Sequence, residues 1–130
     1  MVLPNFVKRA LLGKPIEVHG DGSQRRSFTH VEDAVRALVA LMGTEAALGQ
    51  VVNLGSEDEI TILGLAEKVK EMNRSASKVE LIPYEKAYGP GFEDMMRRLP
   101  DLTKAKELIG YEPRFDLDAT IRSVIDYFQK

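Results

Sequence analysis

The chain contains no cysteine. Disulfides, thiolate catalysis and cysteine-rich zinc sites are therefore excluded, and the simplest compartment to expect is the cytoplasm. It also lacks a dominant charge. Eighteen Lys and Arg stand against 20 Asp and Glu, for a formal net charge of -2. Bulk attraction to nucleic acid or to an anionic membrane is not expected, and any anion site has to be local. No long apolar run is present: the opening stretch MVLPNFVKRALL is broken by Pro4, Asn5, Lys8 and Arg9, and reads as neither a signal peptide nor a membrane span. Nor does any strand-like run lead into Gly-x-Gly-x-x-Gly or a P-loop, so the chain carries no dinucleotide-phosphate loop of its own. Of the two histidines, His19 and His30, neither has a third ligand at metal-like spacing. Both are assigned to structure, with His19 close enough to the glycine turn to touch a ligand.

What is present is an ordinary globular composition. With 130 residues, 44% apolar and 29% charged, one ordered domain over residues 1–130 is expected. Pro4 followed by Phe6, Val7, Ala10 and Leu11 predicts a short helix over about residues 4–12, stopped by Gly13. Ile16 and Val18 alternate with polar residues, as do residues around Phe28, and GDGS lies between. Two short strands joined at Gly20–Ser23 are expected. Val31, Val35, Leu38, Val39 and Met42 form one stripe of a helix over 31–42, with Glu32 and Asp33 in its first turn where the helix dipole favours acids. GQVVNLGS reads as a buried strand ending at Asn53 or Leu54. Thr61 caps a helix carrying Ile62, Leu65, Ala66, Val69 and Met72. KVELIPY is a further strand. A helix from Leu102 stops at Gly110, and a last amphipathic helix is capped by Asp116 or Asp118. The stretch EKAYGPGFEDMMRRLPD shows no clean period, and long irregular segments of this kind inside compact domains are usually functional or disordered.

Two arginine pairs stand out chemically. The turn GDGSQRRSF combines small residues, which let backbone N–H groups approach an anion, with guanidinium groups that grip oxygen pairs. Arg97 and Arg98 lie in the irregular stretch before LPD. Separately, each pair is compatible with a solvated surface; converging, they would form a diphosphate clamp. Asn53, at the expected strand end, is placed either to reach a ligand or to form a turn before Gly55.

The order of these segments resembles a known family. PNFVKRALLGKPIEVHGDGSQRRSFTHVEDAVRAL, VVNLGSEDEITILGLAEKV, MMRRLPDLTKAKELIGYEP and LDATIRSVIDYF together are similar to the C-terminal portion of NAD-dependent nucleotide-sugar epimerases, dehydratases and decarboxylases, the extended short-chain dehydrogenase/reductases. The resemblance spans nearly the whole chain. It implies an α/β fold, a small sheet with packed helices, forming the substrate-binding part without the N-terminal Rossmann half.

By motif position the resemblance implies that Arg26 contacts the diphosphate of a nucleotide sugar and that Arg98 makes a second contact. It implies that Glu17, Val18 and His19 lie against the pyrimidine base, although many relatives carry tyrosine at the His19 position. It places Asn53 near the nucleotide. The family's glycine-rich NAD loop, its catalytic Ser/Thr and its Tyr-x-x-x-Lys pair have no counterpart here. Lys86 follows Tyr84 by two and precedes Tyr88 by two. The resemblance thus implies no bound cofactor in this chain, NAD in the full-length family, no catalytic residue and no activity of the chain by itself. The partners it implies are a nucleotide sugar, expected to be a UDP-sugar, and a homo-oligomer or the missing half to cover Val35, Leu38, Val39, Val51 and Val52. The rival is a stand-alone interaction or structural domain that keeps the fold and binds no nucleotide.

Overall fold

The computed structural model describes residues 1–130. The chain folds into two compact units, one of Met1–Arg26, Ile60–Arg98 and Ile121–Lys130, the other of Ser27–Glu59 and Leu99–Thr120.

In the first unit, α1 (Val2–Leu11) buries Leu3, Phe6, Val7 and Ala10. Pro4 is tolerated because first-turn amides have no helical acceptor to lose. Helix α1 packs on β1 (Ile16–His19) and on α3 (Ile62–Met72). The latter buries Ile62, Leu65, Ala66 and Val69, one face at helical spacing. Thr61 caps it, its hydroxyl accepting from the Gly64 amide at 3.0 Å. Strand β1 pairs in parallel with β4 (Val79–Ile82), from Ile16↔Val79 to His19↔Ile82. Parallel pairing requires a crossover between the strands, and α3 lies in it. Alternation sends Ile16 and Val18 into the core, while Glu17 and His19 take the other face.

The two expected strands flanking Gly20–Ser23 are present but do not pair with each other. Strand β2 (Arg25–Ser27) belongs to a second sheet of order β3-β2-β5, with β3 at Glu59–Thr61 and β5 at Arg97–Arg98. Gly20 and Gly22 adopt φ of +75° and +74°, a region open to glycine, and they turn the chain out of the first sheet. The Gly20 amide continues the β1–β4 ladder by donating to Ile82 O at 2.8 Å, while Gly22 O and Gln24 O accept from Leu63 N and Ile62 N, each at 3.0 Å. The segment is anchored to the start of α3 instead of folding back on β1.

In the second unit, α2 spans Val31–Met42, as its periodicity predicts. Its cap is His30, whose Nδ1 accepts from the Glu32 amide at 3.2 Å; the ring stacks on Phe115 at 4.0 Å between centroids. Ala37 packs with Leu102, Ala105 and Tyr111, and Val52, Leu54 and Ile109 pack against them. Helix α5 (Thr103–Ile109) ends at Gly110 with φ +59°. Tyr111 donates its buried hydroxyl to Gly55 O at 2.7 Å. Asp116 caps α6 (Leu117–Gln129), accepting from the Ala119 amide at 2.8 Å. The later turns of α6 lie in the first unit, where Ile121 and Ile125 are buried.

Two expectations change here, the strand in GQVVNLGS and the exposure of Val52. Residues 51–58 form no strand, because no other strand of the chain takes up their backbone groups. Val52 is half-buried and packs in this unit's core, whereas Val51 is exposed. On α2 the buried positions are Asp33 and Ala37; the apolar stripe is bare, with Val35 52% and Val39 65% exposed. No helix is long and apolar enough to cross a membrane.

Candidate functional site

Strand β5 was not legible in the sequence, and it arranges the first unit's arginines. Arg25 pairs with Arg97 and Arg26 with Arg98. Direct partners on neighbouring strands present their side chains to the same face. Arg26 and Arg98 therefore share one face of the sheet, and Arg25 and Arg97 share the other.

The Arg26 guanidinium is restrained on two sides. Nη1 donates to Arg25 O at 2.8 Å, and Nη2 donates to Asp94 Oδ1 at 2.8 Å. Asp94 also accepts from the Tyr84 hydroxyl, at 3.3 Å on Oδ2. Burial, then the Asp94 charge and hydrogen bond, push the Tyr84 phenol above its ordinary pKa, with Arg26 opposing. Tyr84 therefore remains a donor at neutral pH. The Arg98 side chain is exposed.

Beside this pair stands an aromatic group. Helix α4 (Tyr84–Tyr88) carries Tyr84 and Tyr88; Phe92 stacks on Tyr88 at 4.2 Å and tilts against Tyr84 at 5.4 Å. His19 meets Tyr88 edge-on at 5.1 Å between centroids, with Nδ1 2.8 Å from the Tyr88 hydroxyl. Of the other sequence candidates in this unit, Glu17 is engaged by Arg9, Oε2 accepting from Nη2 at 2.9 Å. Val18 is fully buried, which leaves only its backbone for a ligand. Asn53 belongs to the second unit. It is exposed and donates from Nδ2 to Asp101 O at a long 3.5 Å.

Sequence reasoning missed Asp94, Tyr84 and Tyr88 as partners of Arg26 and His19. The only signal was the density of aromatics and acids in a segment without period. It also read Asp33 as a helix-dipole acid. Asp33 is 1% exposed, accepts from Arg36 Nη2 at 2.7 Å, and accepts from the amides of Arg114 and Phe115 at 3.0 and 3.1 Å. Burial raises its pKa, but these bonds and the Arg36 charge outweigh that and hold it below the ordinary value.

The residues present do not fit an NAD site. After β1, the glycines at 20 and 22 lead into β2, not into a helix N-terminus, which is where a dinucleotide pyrophosphate is held. No group of three or more His, Asp or Glu side chains is placed to hold a metal ion.

The α/β architecture is that of part of an extended short-chain dehydrogenase/reductase. An epimerase structure from Methanothermobacter thermautotrophicus superposes with a TM-score of 0.90 at 30% identity, over 99% of this chain and 37% of that one. A UDP-glucuronic acid 4-epimerase from Bacillus cereus, solved with UDP-glucuronic acid and NAD, superposes with a TM-score of 0.87 at 26% identity, over 99% of this chain and 40% of that one. The chain belongs to the family whose model is described as GDP-mannose 4,6 dehydratase, which matches residues 1–124. Among curated relatives, the UDP-N-acetyl-alpha-D-glucosaminuronate decarboxylase of Bacillus cytotoxicus is 40% identical over 129 residues. That match takes in 99% of this chain and 40% of the relative, so the chain spans about two fifths of that relative's length.

Proposed function

We propose that this chain is the nucleotide-sugar-binding portion of an NAD-dependent epimerase, dehydratase or decarboxylase, and that its ligand is a UDP-sugar. The observation carrying this reading is the register of β2 and β5, which sets Arg26 and Arg98 side by side on one face. Two guanidinium groups so placed match the two charged phosphates of a nucleoside diphosphate, each offering paired donors. The similarity to a protein solved with UDP-glucuronic acid supports the choice of nucleotide.

In this reading Arg26 and Arg98 hold the diphosphate, and His19, Glu17 and the Val18 backbone lie along the base. Oxidation of the sugar belongs to residues and a cofactor outside this chain. The bare α2 stripe supports association with the remainder of such an enzyme or with a second copy. The cysteine-free composition supports a cytoplasmic setting.

Calorimetry with UDP tests the reading. Binding by the unaltered chain that weakens about tenfold or more in Arg26→Ala and in Arg98→Ala supports it. Binding that neither substitution weakens, or no binding by the unaltered chain, favours an interaction domain that keeps the fold without the ligand.

A further inference from the structure

Strand pairing fixes where the Arg26 backbone lies, but not where its guanidinium points. An arginine side chain is among the most costly in rotamer entropy to order, so a free Arg26 would be a poor clamp. Two contacts restrain it, one to Arg25 O and one to Asp94 Oδ1. A guanidinium has five N–H groups. These two bonds leave one N–H on each terminal nitrogen, and Nε–H, for a further acceptor, on a side chain that is 15% exposed.

We propose that Asp94, oriented by Tyr84, is the positioning residue that aims the Arg26 guanidinium at the diphosphate; this rests on the nucleotide reading above. Asp94 is itself held in place. Its second oxygen accepts from Tyr84, whose ring leans on Phe92. The Tyr84 ring also occupies the space that a Cβ at Gly20 would need. A line of contact thus runs from the end of β1 through Tyr84 and Asp94 to Arg26. The cost is a negative charge close to an anion site. Tyr84's hydrogen bond spreads that charge, and the exposed Arg98 on the same face keeps the surface cationic.

The test separates aiming from charge and from folding. UDP affinity is measured by calorimetry for the unaltered chain, Asp94→Ala, Asp94→Asn, and each of these with Arg26→Ala. Asp94→Ala should bind UDP about fivefold more weakly, the loss of one oriented hydrogen-bond partner. Asp94→Asn keeps an oxygen for Nη2 and should bind more tightly than Asp94→Ala. With Arg26→Ala already in place, Asp94→Ala should cost nothing more. Unchanged or tighter binding by Asp94→Ala overturns the inference, because Asp94 would then compete with phosphate. A loss that persists undiminished beside Arg26→Ala also overturns it, because Asp94 would then only support the loop. Failure of the unaltered chain to bind UDP overturns the nucleotide reading, and this inference with it.

Discussion

Arg26 and Arg98 are register partners on adjacent parallel strands, although 71 residues of sequence separate them. If both grip a diphosphate, each truncation removes charge-assisted hydrogen bonds worth about 1.5–3 kcal/mol. Arg26→Ala and Arg98→Ala should each weaken UDP binding by about tenfold or more, with calorimetry as the readout. Arg25→Ala, on the opposite face of the sheet, should bind within about twofold of the unaltered chain, consistent with the small effect of substitutions outside a binding network.

Asp33 anchors the second unit. Its folded pKa lies below its unfolded value, so its contribution is present above about pH 3.9, the usual unfolded aspartate value, and is lost as pH falls through the lower folded value. Asp33→Asn leaves Arg36 and two amides short of a charged acceptor, and should cost about 3 kcal/mol at pH 7. Urea denaturation at pH 7 and at pH 3 checks this. The variant should show a shallower loss of stability on acidification than the unaltered chain.

Glycine positions separate backbone strain from crowding. Gly13 and Gly22 both adopt positive φ, but a Cβ at Gly13 meets nothing, whereas at Gly22 it would lie 2.7 Å from Leu63 Cβ and 2.9 Å from Val18 Cγ1. Gly13→Ala should therefore cost about 1 kcal/mol, from backbone strain alone. Gly22→Ala should add overpacking of about 1–3 kcal/mol. Equal losses in chemical denaturation would refute this account.

The exposed stripe of α2 makes a prediction about assembly. Val31, Val35, Leu38, Val39 and Met42 are all more than half exposed, and contiguous apolar surface of this kind drives association. The chain by itself should sediment as a dimer or larger species. Val35→Lys with Val39→Lys should shift it to monomer without loss of helicity. A clean monomer of the unaltered chain at high concentration contradicts the prediction.

Much of the secondary structure could be read locally. Helices α1, α2, α3, α5 and α6 follow from apolar spacing, Thr61, Asp116 and Gly110, because their hydrogen bonds join residues close in sequence. The strands around GDGS were legible one by one, but their partners were not. A hairpin and two separate parallel pairings leave the same alternation of apolar residues in the chain. Likewise nothing in VVNLGS says whether a strand stands beside it.

By itself, then, the sequence determined helices α1, α2, α3, α5 and α6, the glycine turns and the family to which the chain belongs. It also placed arginines at 26 and 98. Tertiary structure alone decided that Arg97 and Arg98 form a strand, that Arg26 pairs in register with Arg98, and that Asp94, bonded to Tyr84, holds Arg26. The reason is physical: these contacts join segments distant in sequence. A two-residue strand has too few residues to show a period, and a guanidinium's orientation is set by whichever carboxylate the fold brings within reach.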